Sequence, residues 1–205
     1  MKFADLTVAQ FLASLANPEP TPGGGTASAI AGAMGTSLLV MVTGLAKSNT
    51  STDDEKAALA TARAALQPLI GALAALADAD AAAFDRVMAG YRLPKATDAE
   101  KAVRSAAIQA ALQEATTVPL QTLRVCAGAM AHAEAVAACG NRSAVSDVGV
   151  AIGLLEAAAA GAEANVRINL ASVRDLQFTL AASDETGRLI SEVTRQAAAA
   201  RRRLS

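Results

Sequence analysis

Directly after "PTPGGGT", residues 27–46 run twenty positions without a charge. A run of that length can cross a bilayer or fill the middle of a helical bundle. Glycine inside a helix costs about 1 kcal/mol relative to alanine. Gly32 and Gly35, on one side with Ser28 and Thr36 at helical spacing, therefore imply that a backbone or a ligand comes close to that face. No aromatic belt or basic cluster flanks the run, and no other stretch reads as a partner span. A buried helix of a soluble protein is expected, with no membrane association. The glycines do not make a phosphate loop, because Thr26-Ala27 follows Gly25 where Lys-Ser/Thr is required. They are not a Rossmann turn either, since "LANPEPT" is no strand. What remains is a helix start at Gly23, Gly24 and Gly25 with unpaired N–H groups, fit for an anion or a carbonyl oxygen. A plain flexible loop with a cap fits this stretch equally well.

The rest of the chain supports a helical reading. Hydrophobic residues make up 53% and aromatics only 2%, so alanine supplies most of the apolar surface and favours close helix–helix packing. A net charge of −1 and so few aromatics leave no footprint for nucleic acid. Two isolated cysteines, Cys126 and Cys139, and no signal peptide point to a reducing cytoplasm. A single histidine, His132, removes multi-histidine metal sites, and neither a metal nor a cofactor is expected.

Capping-box patterns open helices at Thr52–Glu55, Thr97–Glu100 and Ser172–Asp175. Helices are predicted over 7–16, 26–46, 53–90, 98–139, 143–170 and 173–200, with Pro68 and Pro119 kinking or dividing two of them. Short loops make neighbours antiparallel. The fold class is all-α: one domain over 1–205, a bundle of long, partly kinked, mostly antiparallel helices.

Some polar residues stand out in these helices. Asp80, Phe84 and Val87 share a stripe, which aims the Asp80 carboxylate at the apolar side, where it needs a partner or a task. Asp78 and Asp85 fall elsewhere and are expected in solvent. Ser146 and Asp147 precede the glycine-bearing "VGVAIGLL", although a serine there is commonly an N-cap. Asn165 and Asn169 are helical neighbours whose amides suit the mixed edge of a heterocycle, or a helix–helix hydrogen bond. Arg92, Lys95 and Lys101 lie in and after a loop, available to a polyanionic tail.

In order along the chain, "PTPGGG", "DADAAAF", "RLPKATDAEK", "ATTVPL", "CGNRSAVSDVGVA" and "GAEANVRINL" resemble the cyclodeaminase/cyclohydrolase family of one-carbon folate enzymes over roughly residues 7–175. The resemblance implies an all-helical fold, a homodimer or larger homo-oligomer, and a folate substrate in a cleft between helices. It implies catalytic roles for Asp80 beside the reacting carbon, for Asp147 as a second polar group, and for Lys95 as proton donor or as holder of the glutamate tail. Gly23, Gly24, Gly25, Ser28, Asn141, Ser146, Asn165 and Asn169 would bind substrate. Where related members carry a basic stretch ending in an aromatic residue, this chain reads "AKSNTSTDDEK". Residues 176–205 carry none of the motifs. Two reactions are open. One is hydrolysis of 5,10-methenyltetrahydrofolate to 10-formyltetrahydrofolate. The other is cyclisation of 5-formiminotetrahydrofolate to the methenyl compound with loss of ammonia. With Met1 opening the chain and no transferase domain ahead of the helices, the cyclohydrolase is the expected one; a non-catalytic helical subunit is the alternative from another class.

Overall fold

The computed structural model describes residues 2–45 and 51–204. Its helices are α1 (Val8–Ala16), α2 (Gly24–Gly44), α3 (Asp53–Arg92), α4 (Asp98–Met130), α5 (Ala133–Cys139), α6 (Val145–Leu170) and α7 (Leu176–Arg201). No strand occurs among the described residues, as the sequence leads one to expect. Within the altered stretch between α2 and α3, residues 46–50 lie outside the described residues, as does the expected helix end at position 46.

Local chemistry explains the helix starts. Thr7 with Gln10, Thr52 with Glu55 and Thr97 with Glu100 form reciprocal capping boxes. The box predicted at Ser172–Asp175 does not form. Gln109 of α4 takes hold of this connection, donating to the Ser172 carbonyl and accepting from the Arg174 N–H. The helix therefore begins later, with Asp175 as its cap, accepting from the Phe178 N–H at 3.0 Å. Neither proline divides its helix, since α3 and α4 run through Pro68 and Pro119. The predicted 98–139 helix instead breaks at Ala131–His132, where the His132 N–H bonds to the Ala129 carbonyl and tightens the turn. Asp78, expected in solvent, accepts from the Phe3 N–H at 2.7 Å and tethers the N-terminal turn to α3.

Helices α2, α3, α4 and α6 form a ring in which each runs antiparallel to its neighbours, and α7 lies across α4, α5 and α6. The register of α2 on α3 follows from Gly25 against Asp80 and Gly32 against Leu73; that of α2 on α6 from Gly24 against Asn165 and Gly35 against Leu155. The core is filled by Leu39, Leu66, Leu73, Leu123, Met130, Ile152 and Leu155, all fully buried. The glycines of α2 let neighbouring helices approach. A Cβ on Gly35 would lie 2.9 Å from the Ala151 carbonyl oxygen and 3.0 Å from Leu155 Cγ. Backbone cannot step aside as a side chain can, so Gly35→Ala is expected to lower stability by about 1–3 kcal/mol despite alanine's better helix propensity. Urea unfolding checks this, and an unchanged midpoint would show that α6 shifts freely.

Three segments, not the single run read from sequence, are long and apolar enough to span a membrane by length and composition: α2, α3 and residues 142–170. Alanine is the reason, because it raises hydropathy even on faces turned outward. In α2 the apolar window is 61% buried by neighbouring helices, whereas in α3 it is 17% buried.

Candidate active site

The N-terminus of α2, the middle of α3 and the C-terminal part of α6 meet in a cleft of about 240 Å³. Pro20, Thr21 and Gly23–Gly25 form one wall, Asp80, Phe84 and Val87 a second, and Leu112, Ala115, Asn165 and Asn169 close it. The stripe read from sequence on α3 thus faces the glycine turn. A Cβ on Gly25 would sit 2.2 Å from Asp80 Oδ1 and 2.6 Å from its Cγ, so only glycine admits the carboxylate in this place.

Asp80 is half-buried, and its partner is Thr26, which is fully buried. The Thr26 hydroxyl donates to Asp80 Oδ2 at 3.0 Å, with the Ala77 carbonyl oxygen at 3.4 Å as its other acceptor. Burial pushes the Asp80 carboxyl above the usual aspartate range, and hydrogen bonds from the Thr26 hydroxyl and backbone N–H oppose that rise. Gly23 caps α2 without a side chain, and the N–H groups of Gly24 and Gly25 meet no acceptor among the described residues. One carboxylate that resists ionisation therefore stands beside free backbone donors at the positive end of a helix. Asn165 donates to the Gly161 carbonyl of its own helix at 2.8 Å, and Asn169 to the Ala115 carbonyl of α4 at 2.7 Å. Those bonds fix both side chains and leave the amide oxygens for a ligand.

Thr26 was missed in the sequence. Its signal was a small hydroxyl residue in the first turn of a helix that opens on glycines and lacks a side-chain cap. It bonds to Asp80 and, being fully buried, does not line the cleft itself. Thr26→Val should raise the Asp80 pKa further, moving the acid limb of the pH–rate profile to higher pH, and Thr26→Ser should restore it. An unmoved limb would separate Thr26 from the chemistry.

Other expected site residues lie elsewhere. Ser28 is 7% exposed, donates to the Gly24 carbonyl at 2.7 Å, and is turned into the α2–α6 seam, where a Cβ on Gly161 would meet its Oγ at 2.1 Å. It packs against Gly161 in that seam and does not line the cleft. Asn141 caps a short turn by accepting from the Ser143 N–H at 3.0 Å. Ser146 and Asp147 stand in the first turn of α6, and the rise of about 1.5 Å per residue puts Asp147 ~27 Å from Asn165. Within one chain neither joins Asp80. Lys95 is exposed in the α3–α4 loop and lines no part of the cleft. Cys126 is buried, its thiol pushed up to about 12, and Cys139 is also free. Among the described residues no three His, Cys, Asp or Glu side chains gather as metal ligands.

Residues 7–188 match the family model described as formiminotransferase-cyclodeaminase. The chain belongs to this family. It is thereby a member of a family of enzymes, and the cleft takes in four of the segments that carried the resemblance. The chain is similar to the methenyltetrahydrofolate cyclohydrolase of Methylorubrum extorquens, at 41% identity over 91% of this chain and 89% of that one. To the formimidoyltransferase-cyclodeaminase of Sus scrofa it is 34% identical over 92% of its length, but it spans only 35% of that longer protein. The crystal structure of formiminotetrahydrofolate cyclodeaminase from Thermotoga maritima superposes with a TM-score of 0.87 at 27% identity, covering 98% of this chain and 96% of that one. The all-helical bundle is therefore the family's fold.

Proposed function

We propose that this family member acts on the one-carbon unit between N5 and N10 of tetrahydrofolate, closing 5-formiminotetrahydrofolate to 5,10-methenyltetrahydrofolate and releasing ammonia. The observation that carries the reading is the half-buried Asp80 carboxylate, held by Thr26 opposite the free N–H groups of Gly24 and Gly25. N10 bonds to the carbon of the protonated formimino group, and ionised Asp80 takes the proton that N10 gives up. The protonated carboxyl then returns it to the departing nitrogen, whose bond to the tetrahedral carbon breaks. The carboxylate left behind lies beside the amidinium cation that forms. Asn165 and Asn169 present amide oxygens to the N–H edge of the pterin.

The family description and the Thermotoga maritima structure favour this direction over the cyclohydrolase expected from sequence. One observation favours the second reading: the Methylorubrum extorquens relative is matched over nearly its whole length and carries the cyclohydrolase name. There Asp80 would take a proton from water as it adds to the methenyl carbon. Near-ultraviolet absorbance separates the two. With 5-formiminotetrahydrofolate, absorbance should grow together with ammonia. Accelerated loss of the absorbance of 5,10-methenyltetrahydrofolate, without ammonia chemistry, would favour the hydrolase. If both traces match the no-enzyme controls, the non-catalytic helical subunit takes their place.

The alanine face of α3 and the exposed Val8 and Leu12 of α1 support a homo-oligomer, the enclosure of α2 supports a soluble protein, and the likeness to folate enzymes supports a cytoplasmic one. Light scattering and cell fractionation test these two points.

A further inference from the structure

A second cavity, of about 390 Å³, adjoins the first, and Leu112 lines both. Three elements pass from one to the other in step. On α3 the stripe of Asp80, Phe84 and Val87 continues to Tyr91. On α4 it runs from Ala115 through Leu112 to Ser105, and beyond α6 from Asn169 to Arg174. The cavities are thus consecutive lengths of one groove, and Asp80 to Tyr91 covers about 16 Å of helix.

Their chemistry differs. The first holds the carboxylate; the second holds two guanidinium groups, those of Arg104 and Arg174. Arg104 donates to the Tyr91 carbonyl through Nε (3.3 Å) and Nη2 (3.1 Å) and lies 5.5 Å from the centre of the Tyr91 ring. Arg174 donates through Nη1 to Ser105 Oγ at 3.0 Å. Neither has a carboxylate partner among the described residues, whereas Arg86, Arg124, Arg167, Arg188, Arg201 and Arg203 each pair with a glutamate. The nearest acid in sequence, Asp175, is occupied as the cap of α7 and by Gln113. Two positive charges are therefore held in place by neutral groups, with donors to spare.

We propose that this second cavity binds the glutamate carboxylates of a folate substrate. The inference rests on the reading that the reacting carbon lies beside Asp80. A benzoyl ring and one amide separate that carbon from the carboxylates, a span of ~10–15 Å that matches two to three helical turns. The ring would pass over Leu112 and Val87, and the carboxylates would meet guanidinium groups suited to paired hydrogen bonds. This moves the tail from the residues expected in sequence, because Lys95 and Arg92 line neither cavity and Lys101 pairs with Asp98 at 2.8 Å.

The first probe is p-aminobenzoylglutamate, titrated into the whole protein by calorimetry against p-aminobenzamide, which lacks the carboxylates, and against inorganic phosphate. Wild type should bind the glutamate compound, more weakly as salt rises. The double variant R104Q/R174Q, its fold checked by thermal melting, should bind it at least tenfold more weakly, and R104K/R174K should fall between. With a folate substrate carrying its glutamate, the glutamine double variant should raise KM about tenfold or more while kcat changes little. No binding to wild type, or unchanged affinity in the double variant, would overturn the proposal. So would phosphate that binds as tightly as the glutamate compound, since the pair would then serve another anion. If p-aminobenzoylglutamate binds through the arginines yet neither folate reacts, the tail site stands and the proposed reaction falls.

Discussion

Asp80→Asn should lower turnover of the folate substrate by about 10²–10⁴-fold, the usual cost of losing a positioned acid or base, while making the folded protein more stable at neutral pH. The two effects come from one observation. Burial holds the Asp80 carboxyl above the ordinary aspartate range in the folded state. A raised folded-state pKa contributes stability at pH values below the unfolded one, and that stability is lost as pH rises through the folded value. At neutral pH, where the unfolded carboxyl is ionised, keeping Asp80 in its half-buried place therefore costs stability, and a neutral amide removes that cost while still accepting from Thr26. Melting temperatures of variant and wild type should differ at pH 7 and converge in acid, where aspartate is neutral in both states. Near-normal turnover in the variant would reduce Asp80 to a cap on the first turn of α2.

Gly25→Ala should silence the enzyme almost as fully without replacing a polar group. The added methyl would fall 2.2 Å from Oδ1 and 2.6 Å from both Cγ and Oδ2 of Asp80, so the whole carboxylate has to leave its place. It would lose the Thr26 hydroxyl and its distance from the free N–H groups. A displacement of that size at the reacting centre costs about 10²-fold or more. The fold should survive, because alanine is no worse a helix former than glycine in the first turn of α2 and the carboxylate can swing toward the open cleft. Kinetics of G25A, D80N and the double variant form a cycle. If the glycine acts only by seating Asp80, the double variant should be no slower than D80N alone. Losses that multiply would mean that the turn itself touches the substrate.

The helices were legible because their signals are local. Thr52 with Glu55 and Thr97 with Glu100 are three residues apart, and they box as the spacing predicts. The Asp80–Phe84–Val87 stripe needs only the helical period, and it faces the cleft. The failures share a different character. Ser172–Asp175 has the same local pattern, but Gln109, from another helix, holds the backbone first. Pro119 looks like a divider, yet the helix runs through it and breaks where α5 turns to meet α7.

What the sequence determined by itself was the fold class, the helix starts at Thr7, Thr52 and Thr97, and an acid on α3 turned toward its apolar side, all set by neighbours within one or two turns. Only the tertiary structure decided which glycine, which hydroxyl and which arginines lie with that acid, and that Asp147 does not. Asp80 meets Gly25 and Thr26 across the α2–α3 contact, Arg104 of α4 and Arg174 of the α6–α7 connection line one cavity, and Asp147 is left at the far end of α6. Such meetings depend on the register between antiparallel helices. Glycine and alanine set that register through close contact of backbones, and glycine spacing along the chain announces such a contact without naming the helix that makes it.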